Sequence, residues 1–351
     1  VLTTLLLTLT MEASAQQFRG VGKVTYGFET SFVKRTNALS LRFLIERNKS
    51  VWKIRTWPEP AGDSPIAFYE AGCDGSNIFY LQQNDREKLK KIVGKKIEED
   101  NFAIAKGEVL GRVIPRYRTD LLGCVWQAYA SLSYFQHLTN ARAISPRFEI
   151  VNMVPEVEQK VVWRAITPGF ISSVDWFADG TYVIQAASGS LVTNEYNKPY
   201  SEGFLQGTFE NLSWTNIGTL AVPKSFALTV YSPASKGASS GEKKLSVSYR
   251  VSGVLEELEN LSSLSYLPKL TSKTIITDFR RTSQGTPVAY MTSSGWILNP
   301  DKLLSSSRTS STLPVPPKRR LLTLTFLVLF TVMFAFLMFK HHNDINKRKP
   351  K

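Results

Sequence analysis

Between residues 18 and 300, apolar side chains recur at every second position in short runs separated by turn residues, the pattern of strands with one buried face. Leu39, Leu41, Phe43 and Ile45 alternate with Ser40, Arg42, Leu44 and Glu46, and Asn48-Lys49 turns the chain into 51–57. Ile66 to Tyr69, Asp74-Gly75 and Ile78 to Leu81 predict a second hairpin. Val174 to Phe177, Asp179-Gly180 and Thr181 to Ile184 predict a third, because Asp-Gly supplies the positive φ that a tight turn needs. Further strands are predicted at 18–30, 109–114, 161–166, 205–214, 225–231, 245–251, 273–280 and 287–297. Short strands with short turns predict a mainly β fold on one large antiparallel sheet, not βαβ units.

Two segments break the period of two. Residues 120–138 (DLLGCVWQAYASLSYFQHL) are apolar around most of a helical circumference, with Thr119 or Asp120 as N-cap after Pro115. A helix apolar on most sides is buried on most sides. In a β protein its natural place is the hollow of a curved sheet. Large apolar groups on both faces of a strand, as at Val51, Trp52, Ile54 and Trp57, fit a sheet whose concave side is covered. Val254, Leu255, Leu258, Leu261 and Leu264 predict a second, amphipathic helix, although a strand also fits 251–255. Residues 232–244 read as a loop.

The two ends of the chain are apolar. Residues 1–11 followed by Ala13-Ser14-Ala15 have the h-region and A-x-A site of a secretory signal peptide, with cleavage expected after Ala15. Residues 321–339 (LLTLTFLVLFTVMFAFLMF) hold 19 residues without a charge, about 28 Å of helix, the thickness of a bilayer core. Lys318, Arg319 and Arg320 precede this run, and Lys340, His341 and His342 follow it. The expected organisation is a signal peptide (1–15), an exported β-rich domain (16–300), a Ser/Pro-rich stalk (301–317), a C-terminal transmembrane helix with its basic flank (318–340) and a basic cytoplasmic tail (341–351). The alternative at this end is a cell-surface sorting signal cut before the span, although neither Leu-Pro-x-Thr-Gly nor Pro-Glu-Pro stands in front of it.

Composition changes this picture little. The net charge of +14 is half accounted for by residues 318–351, which carry eight basic side chains against Asp344. Residues 85–118 hold ten basic and six acidic groups, and the rest is near balance. Such a distribution marks membrane flanks and one basic segment, with anionic headgroups expected as the tail's partner, and is no nucleic-acid footprint. The run 86–96 (REKLKKIVGKK) reads as a surface loop or short helix, with contact to headgroups or an acidic partner as the alternative.

Candidate chemistry is sparse. Three histidines and two cysteines exclude most His- or Cys-built metal centres, and no cofactor site is expected. Cys73 and Cys124 are an even pair in an oxidising compartment, open to a disulfide closing about 50 residues or to two buried free thiols. His137 with Ser131, Ser133 and Asp120 lies on one predicted helix without a nucleophile elbow, so a satisfied helix histidine is the better reading. Asp179 is explained by its turn, and Glu98-Glu99 by a solvated stretch. No catalytic residue is expected.

Val51-Trp52-Lys53-Ile54-Arg55, Phe68-Tyr69-Glu70 and Cys73-Asp74-Gly75-Ser76-Asn77-Ile78-Phe79-Tyr80 resemble the strands and D-G-x-x-x-aromatic hairpin of the outer-membrane lipoprotein carrier and sorting family. The resemblance covers about residues 18–230. It implies a half-barrel sheet curved around helices, a hydrophobic cavity for acyl chains, and residues 120–138 as a plugging helix. Those carriers are soluble or lipid-anchored, whereas this chain carries an apolar run at 321–339 and extra β sequence at 245–297. Cavity-lining candidates are then Trp52, Ile54, Phe79, Trp126, Tyr129, Phe135, Trp176 and Phe177. The expected function is a membrane-anchored, exported binding protein for an apolar ligand, lipid or lipoprotein component of the envelope. The alternative is a non-catalytic structural or regulatory interaction module, and a hydrolase is the least favoured class.

Overall fold

A computed structural model describes residues 17–28, 39–59, 65–93, 104–111, 122–138, 140–144, 158–167, 169–185, 190–234, 243–280 and 287–302. The strands are β1 (Gln17–Phe28), β2 (Leu39–Asn48), β3 (Val51–Pro58), β4 (Ile66–Cys73), β5 (Asn77–Asn84), β6 (Ala105–Gly111), β7 (Arg142–Ile144) and β8 (Glu158–Thr167). They continue with β9 (Phe170–Ala178), β10 (Thr181–Gln185), β11 (Leu191–Glu195), β12 (Phe204–Ile217), β13 (Leu220–Pro233), β14 (Leu245–Asn260), β15 (Thr274–Asp278) and β16 (Val288–Thr292). Three α-helices are described, α1 (Arg86–Val93), α2 (Leu122–Tyr129) and α3 (Leu132–Gln136), with one 3-10 turn at Tyr200–Glu202.

Fourteen strands form one sheet in the order β16-β15-β6-β5-β4-β3-β2-β1-β14-β13-β12-β9-β8-β7. Every pair is antiparallel except β6–β15, which is parallel, so the sheet is mixed where the alternation predicted a purely antiparallel one. The parallel pair arises because the chain crosses the outer face after β14 and re-enters the sheet beyond β6. The predicted turns at 48–50 and 74–75 join β2 to β3 and β4 to β5, with Lys49 at φ 55° and Gly75 at φ 96°. The Asp179-Gly180 turn is present, with Gly180 at φ 80°, but its flanking strands do not pair. Both edges of β9 are taken by β8 and β12, so β10 pairs instead with β11 in a separate two-stranded sheet.

Curvature follows from what α2 touches. This helix contacts β3 and β2 on one side and β13, β12 and β9 on the other. From β3 to β9 the sheet runs through six strand spacings, about 29 Å if flat at about 4.8 Å each. A helix is only about 10–12 Å wide with its side chains, so the sheet bends around it. The inner face alternates as expected: Phe18, Val24 and Tyr26 on β1, Leu41, Phe43 and Ile45 on β2, and Trp52 and Ile54 on β3 are buried. Glycines let rings lie against the inner backbone, because a Cβ at Gly22 would overlap the Phe43 ring and one at Gly253 the Phe226 ring.

The predicted amphipathic helix around 254–264 is absent. Residues 245–260 are β14, whose Tyr249, Val251, Gly253 and Leu255 face inward with strand periodicity between β1 and β13. The helix-like spacing of Leu258, Leu261 and Leu264 comes from a register shift at Val21/Gly22 opposite β14 and from the start of the crossing segment.

On its outer face the sheet has two characters. Across β14, β1 and β2, Arg19 lies between Glu46 (3.6 Å) and Glu259 (2.6 Å), and Arg42 pairs with Glu256 and Glu59. Lys53 and Arg55 of β3 both reach Glu70 of β4, whose side chain is fully buried. Beyond β4 the outer face is covered by the crossing segment and by the residues after β16. There Phe79, Val109 and Ile276 form a second core with Tyr266, Leu267, Leu270 and Trp296. Arg280 closes this layer by pairing with Asp278 (2.7 Å) and donating to the carbonyls of Ile297 and Leu298 at 2.5 and 2.6 Å.

The chain divides into two units, Val1–Leu298 and Asn299–Lys351. Of the second, residues 299–302 are described, a turn in which the Lys302 N–H donates to the Asn299 carbonyl at 3.1 Å. No described helix is long and apolar enough to cross a membrane. The expected signal peptide, the span at 321–339 and the tail lie outside the described residues, as does the stalk beyond residue 302.

Gly72 tests the crossing segment, because a Cβ there would overlap the Tyr266 carbonyl. Gly72→Ala is expected to destabilise by about 1–3 kcal/mol and to speed amide exchange at 262–270 ahead of the sheet interior. Unchanged exchange in that segment would count against the contact.

Candidate functional site

The inner core is organised by α2 and α3. All eight residues of α2 are buried, and Leu132 and Phe135 of α3 join them. Tyr129 is the focus, its ring 6.2 Å from Phe18, 5.9 Å from Phe43 and 6.0 Å from Phe226, the last edge-on. Its hydroxyl donates to the Pro223 carbonyl at 3.0 Å, and burial raises its pKa well above the usual phenol value. Trp126 meets Tyr134 at 5.7 Å, and Phe135 meets Trp163 of β8 at 6.1 Å. The helices are therefore gripped by rings from opposite flanks of the sheet.

Among the described residues, Arg47 supplies the charge at this grip. It lies in phase with Leu41, Phe43 and Ile45 on the inner face of β2. Its guanidinium donates to the carbonyl of Tyr129 at 2.7 Å, that of Gly169 at 2.8 Å and that of Lys49 at 2.8 Å, and lies 4.6 Å from the centre of the Phe170 ring. The Tyr129 carbonyl belongs to the last turn of α2, where helical carbonyls lack intrahelical partners and a cation is favoured. Desolvation lowers the Arg47 pKa to about 10, which leaves it charged at neutral pH. One side chain thus joins the β2–β3 turn, the end of the helix and the β8–β9 turn.

Six of the eight predicted lining residues come together here: Trp52 and Ile54 from β3, Trp126 and Tyr129 from α2, Phe135 from α3 and Trp176 from β9. Phe79 does not. It lies in the outer core under Trp296 (5.5 Å) and Tyr266 (6.0 Å). Phe177, next to Trp176 on a strand, points to the opposite face and is half-buried. Phe18, Phe43, Phe170 and Phe226 are not among the predicted lining residues, nor is Arg47, although a charge in phase with an apolar strand face is a legible signal.

Among the described residues the interior is otherwise neutral. Among the buried residues, the carboxylates Glu70 and Asp278 belong to the outer face, and Tyr26 inside has its phenol pKa pushed up to about 12 by burial. The Ser131 hydroxyl donates to the Gln127 carbonyl at 2.7 Å and the His137 ring meets the Ser133 carbonyl at 2.6 Å, so both groups cap helical backbone. Asp175 accepts from Thr208 and Asp179 pairs with Arg142, so these carboxylates are engaged separately. No described cluster of three or more His, Cys, Asp or Glu could hold a metal.

Cys73 and Cys124 are both buried in this core, as thiols rather than as a disulfide. The Cys73 sulfur is turned into its own hairpin, accepting the Gly75 N–H at 3.3 Å. Burial pushes its pKa up to about 11.

No family model and no curated protein matches the chain. Similar solved structures include a LolA superfamily protein from Nitrosomonas europaea, at 10% identity and TM-score 0.30, covering 74% of this chain and 94% of that one. A DUF1329 family protein from Desulfovibrio piger is similar at 9% identity and TM-score 0.29, covering 75% and 92%. The resemblance to the carrier family is weak.

Thiol titration checks the buried cysteines. Native protein at pH 8 is expected to be inert to an aromatic disulfide reagent, and denatured, unreduced protein to release two equivalents. Because the folded thiol titrates higher than the unfolded one, its stabilising contribution is complete below about pH 9 and is lost as pH rises toward about 11. A stability curve flat between pH 8 and 11 would contradict that burial.

Proposed function

We propose that the protein is a membrane-anchored, exported binding protein that holds an apolar ligand, a lipid or the acylated part of a lipoprotein, in the space that α2 and α3 fill. The observation that carries this reading is the helix itself: its whole circumference is buried inside a bent sheet, and one arginine ties its end to both flanks. A helix held this way is an exchangeable plug. An apolar ligand offers the same aromatic walls the contacts that Trp126, Tyr129 and Phe135 supply, so replacement costs little transfer free energy. The neutral interior suits such a ligand and disfavours an ionised one. The A-x-A site and the basic-flanked apolar run at 321–339 support export and anchoring.

The test is uptake of a fluorescent monoacylglycerol, which carries no charge, by delipidated full chain held in amphipol. Saturable binding is expected. Arg47→Leu, which releases the end of α2, is expected to speed uptake about tenfold, the worth of one charge-assisted hydrogen bond. A signal that never saturates would sink the carrier reading and leave the sheet as a protein-interaction surface. Equal rates for Arg47→Leu and the parent would remove the plug from the account.

A further inference from the structure

Near the β7 edge of the sheet, two buried polar groups find no partner among the described residues. Trp176 is 1% exposed and Gln159 3% exposed, and neither the Trp176 indole N–H nor the Gln159 Oε1 makes a hydrogen bond. The two share the inner face. Trp176 sits directly opposite Val161 in the β8–β9 ladder, and Gln159 lies two residues further along β8. On the other side of β9, the position opposite Trp176 is Gly207, which brings no side chain. Gln159 is oriented by donating its amide to Gln206 Oε1, so its own oxygen is the acceptor left over. Leaving each such group unmet costs about 1–3 kcal/mol, and both belong to or flank the core under the helix pair.

The chemistry of the pair is specific. It offers one donor and one acceptor and no charge. Lys160 and Val162, which alternate with Gln159 and Val161, are exposed on the other face, and Arg142 is committed to Asp179 and the Glu158 carbonyl. A carboxylate brings acceptors only, so to reach Trp176 it would have to lie against the Gln159 oxygen with like partial charge, and it is turned away. A carbonyl with an N–H or O–H beside it meets both. We infer that Trp176 and Gln159 form a polar subsite that takes the uncharged linkage of an acylated ligand, an acyl amide or a hydroxyl-bearing ester, in preference to a free fatty acid. The inference rests on the carrier reading and adds to it the class of head group.

The test reads the indole N–H directly. Full chain in maltoside micelles, labelled with 15N-indole tryptophan, gives seven indole resonances, and Trp176→Phe assigns the one in question. N-oleoylethanolamine and monoolein are expected to move that resonance downfield, the larger shift telling amide from ester, whereas oleate at pH 8 and octadecene leave it in place. Gln159→Leu, a milder change than Trp176→Phe, is expected to weaken the amide and the monoglyceride by about two- to tenfold with oleate unaffected. If the other indoles move while Trp176 stays still, or all four probes shift Trp176 alike, the subsite is overturned and lipid binding stands. If no indole moves with any probe, the carrier reading falls and takes the subsite with it.

Discussion

The fold depends on a mismatch of widths. A sheet that would be about 29 Å across from β3 to β9 when flat must touch one helix from both of these strands. Everything inside follows from satisfying that demand. The inner faces of β1 and β14 give up side chains at Gly22 and Gly253 so that Phe43 and Phe226 can lie close to the backbone. Tyr129 then finds rings on three strands at about 6 Å. Non-directional burial brings the layers together. Two polar anchors, Tyr129 to Pro223 and Arg47 to the helix end, fix where the helix sits.

The outer face solves a different problem with different residues. Around the helix the convex side is wet, and it is laced with ion pairs among Arg19, Arg42 and the glutamates of β2 and β14. Such exposed pairs add little stability singly, but they keep the middle of a wide sheet polar on the side that faces water. At β4 to β6 the convex side becomes apolar, and the crossing segment with Trp296 covers it. The two cores are therefore separated by one sheet's thickness.

Much of this was legible along the chain. The period of two in 39–46, the Asp-Gly turn at 74–75 and the apolar run at 120–138 each act locally, so sequence spacing reports them, although the run forms two helices parted at Ala130-Ser131 rather than one. Pairing between distant strands is another matter. Nothing near Asp179-Gly180 says that both edges of β9 are already taken, and nothing in 254–264 says that a register shift displaces its apolar residues. Phe79 was assigned to the hollow because aromatic character does not reveal which face of a doubly covered strand a residue occupies. Arg47 was the signal passed over: a cation in phase with Leu41, Phe43 and Ile45 has to be satisfied inside.

The position of β1 has a consequence for biosynthesis. The first described strand lies between β2 and β14, so Arg19 meets Glu259 across a sequence separation of 240 residues. Loop closure on that scale comes late and makes folding slow. Until β14 emerges, the strand edge of β1 and the aromatic lining stay open to solvent. The nascent polypeptide is therefore an unfinished, aromatic-lined trough until some 240 residues after β1 have been made.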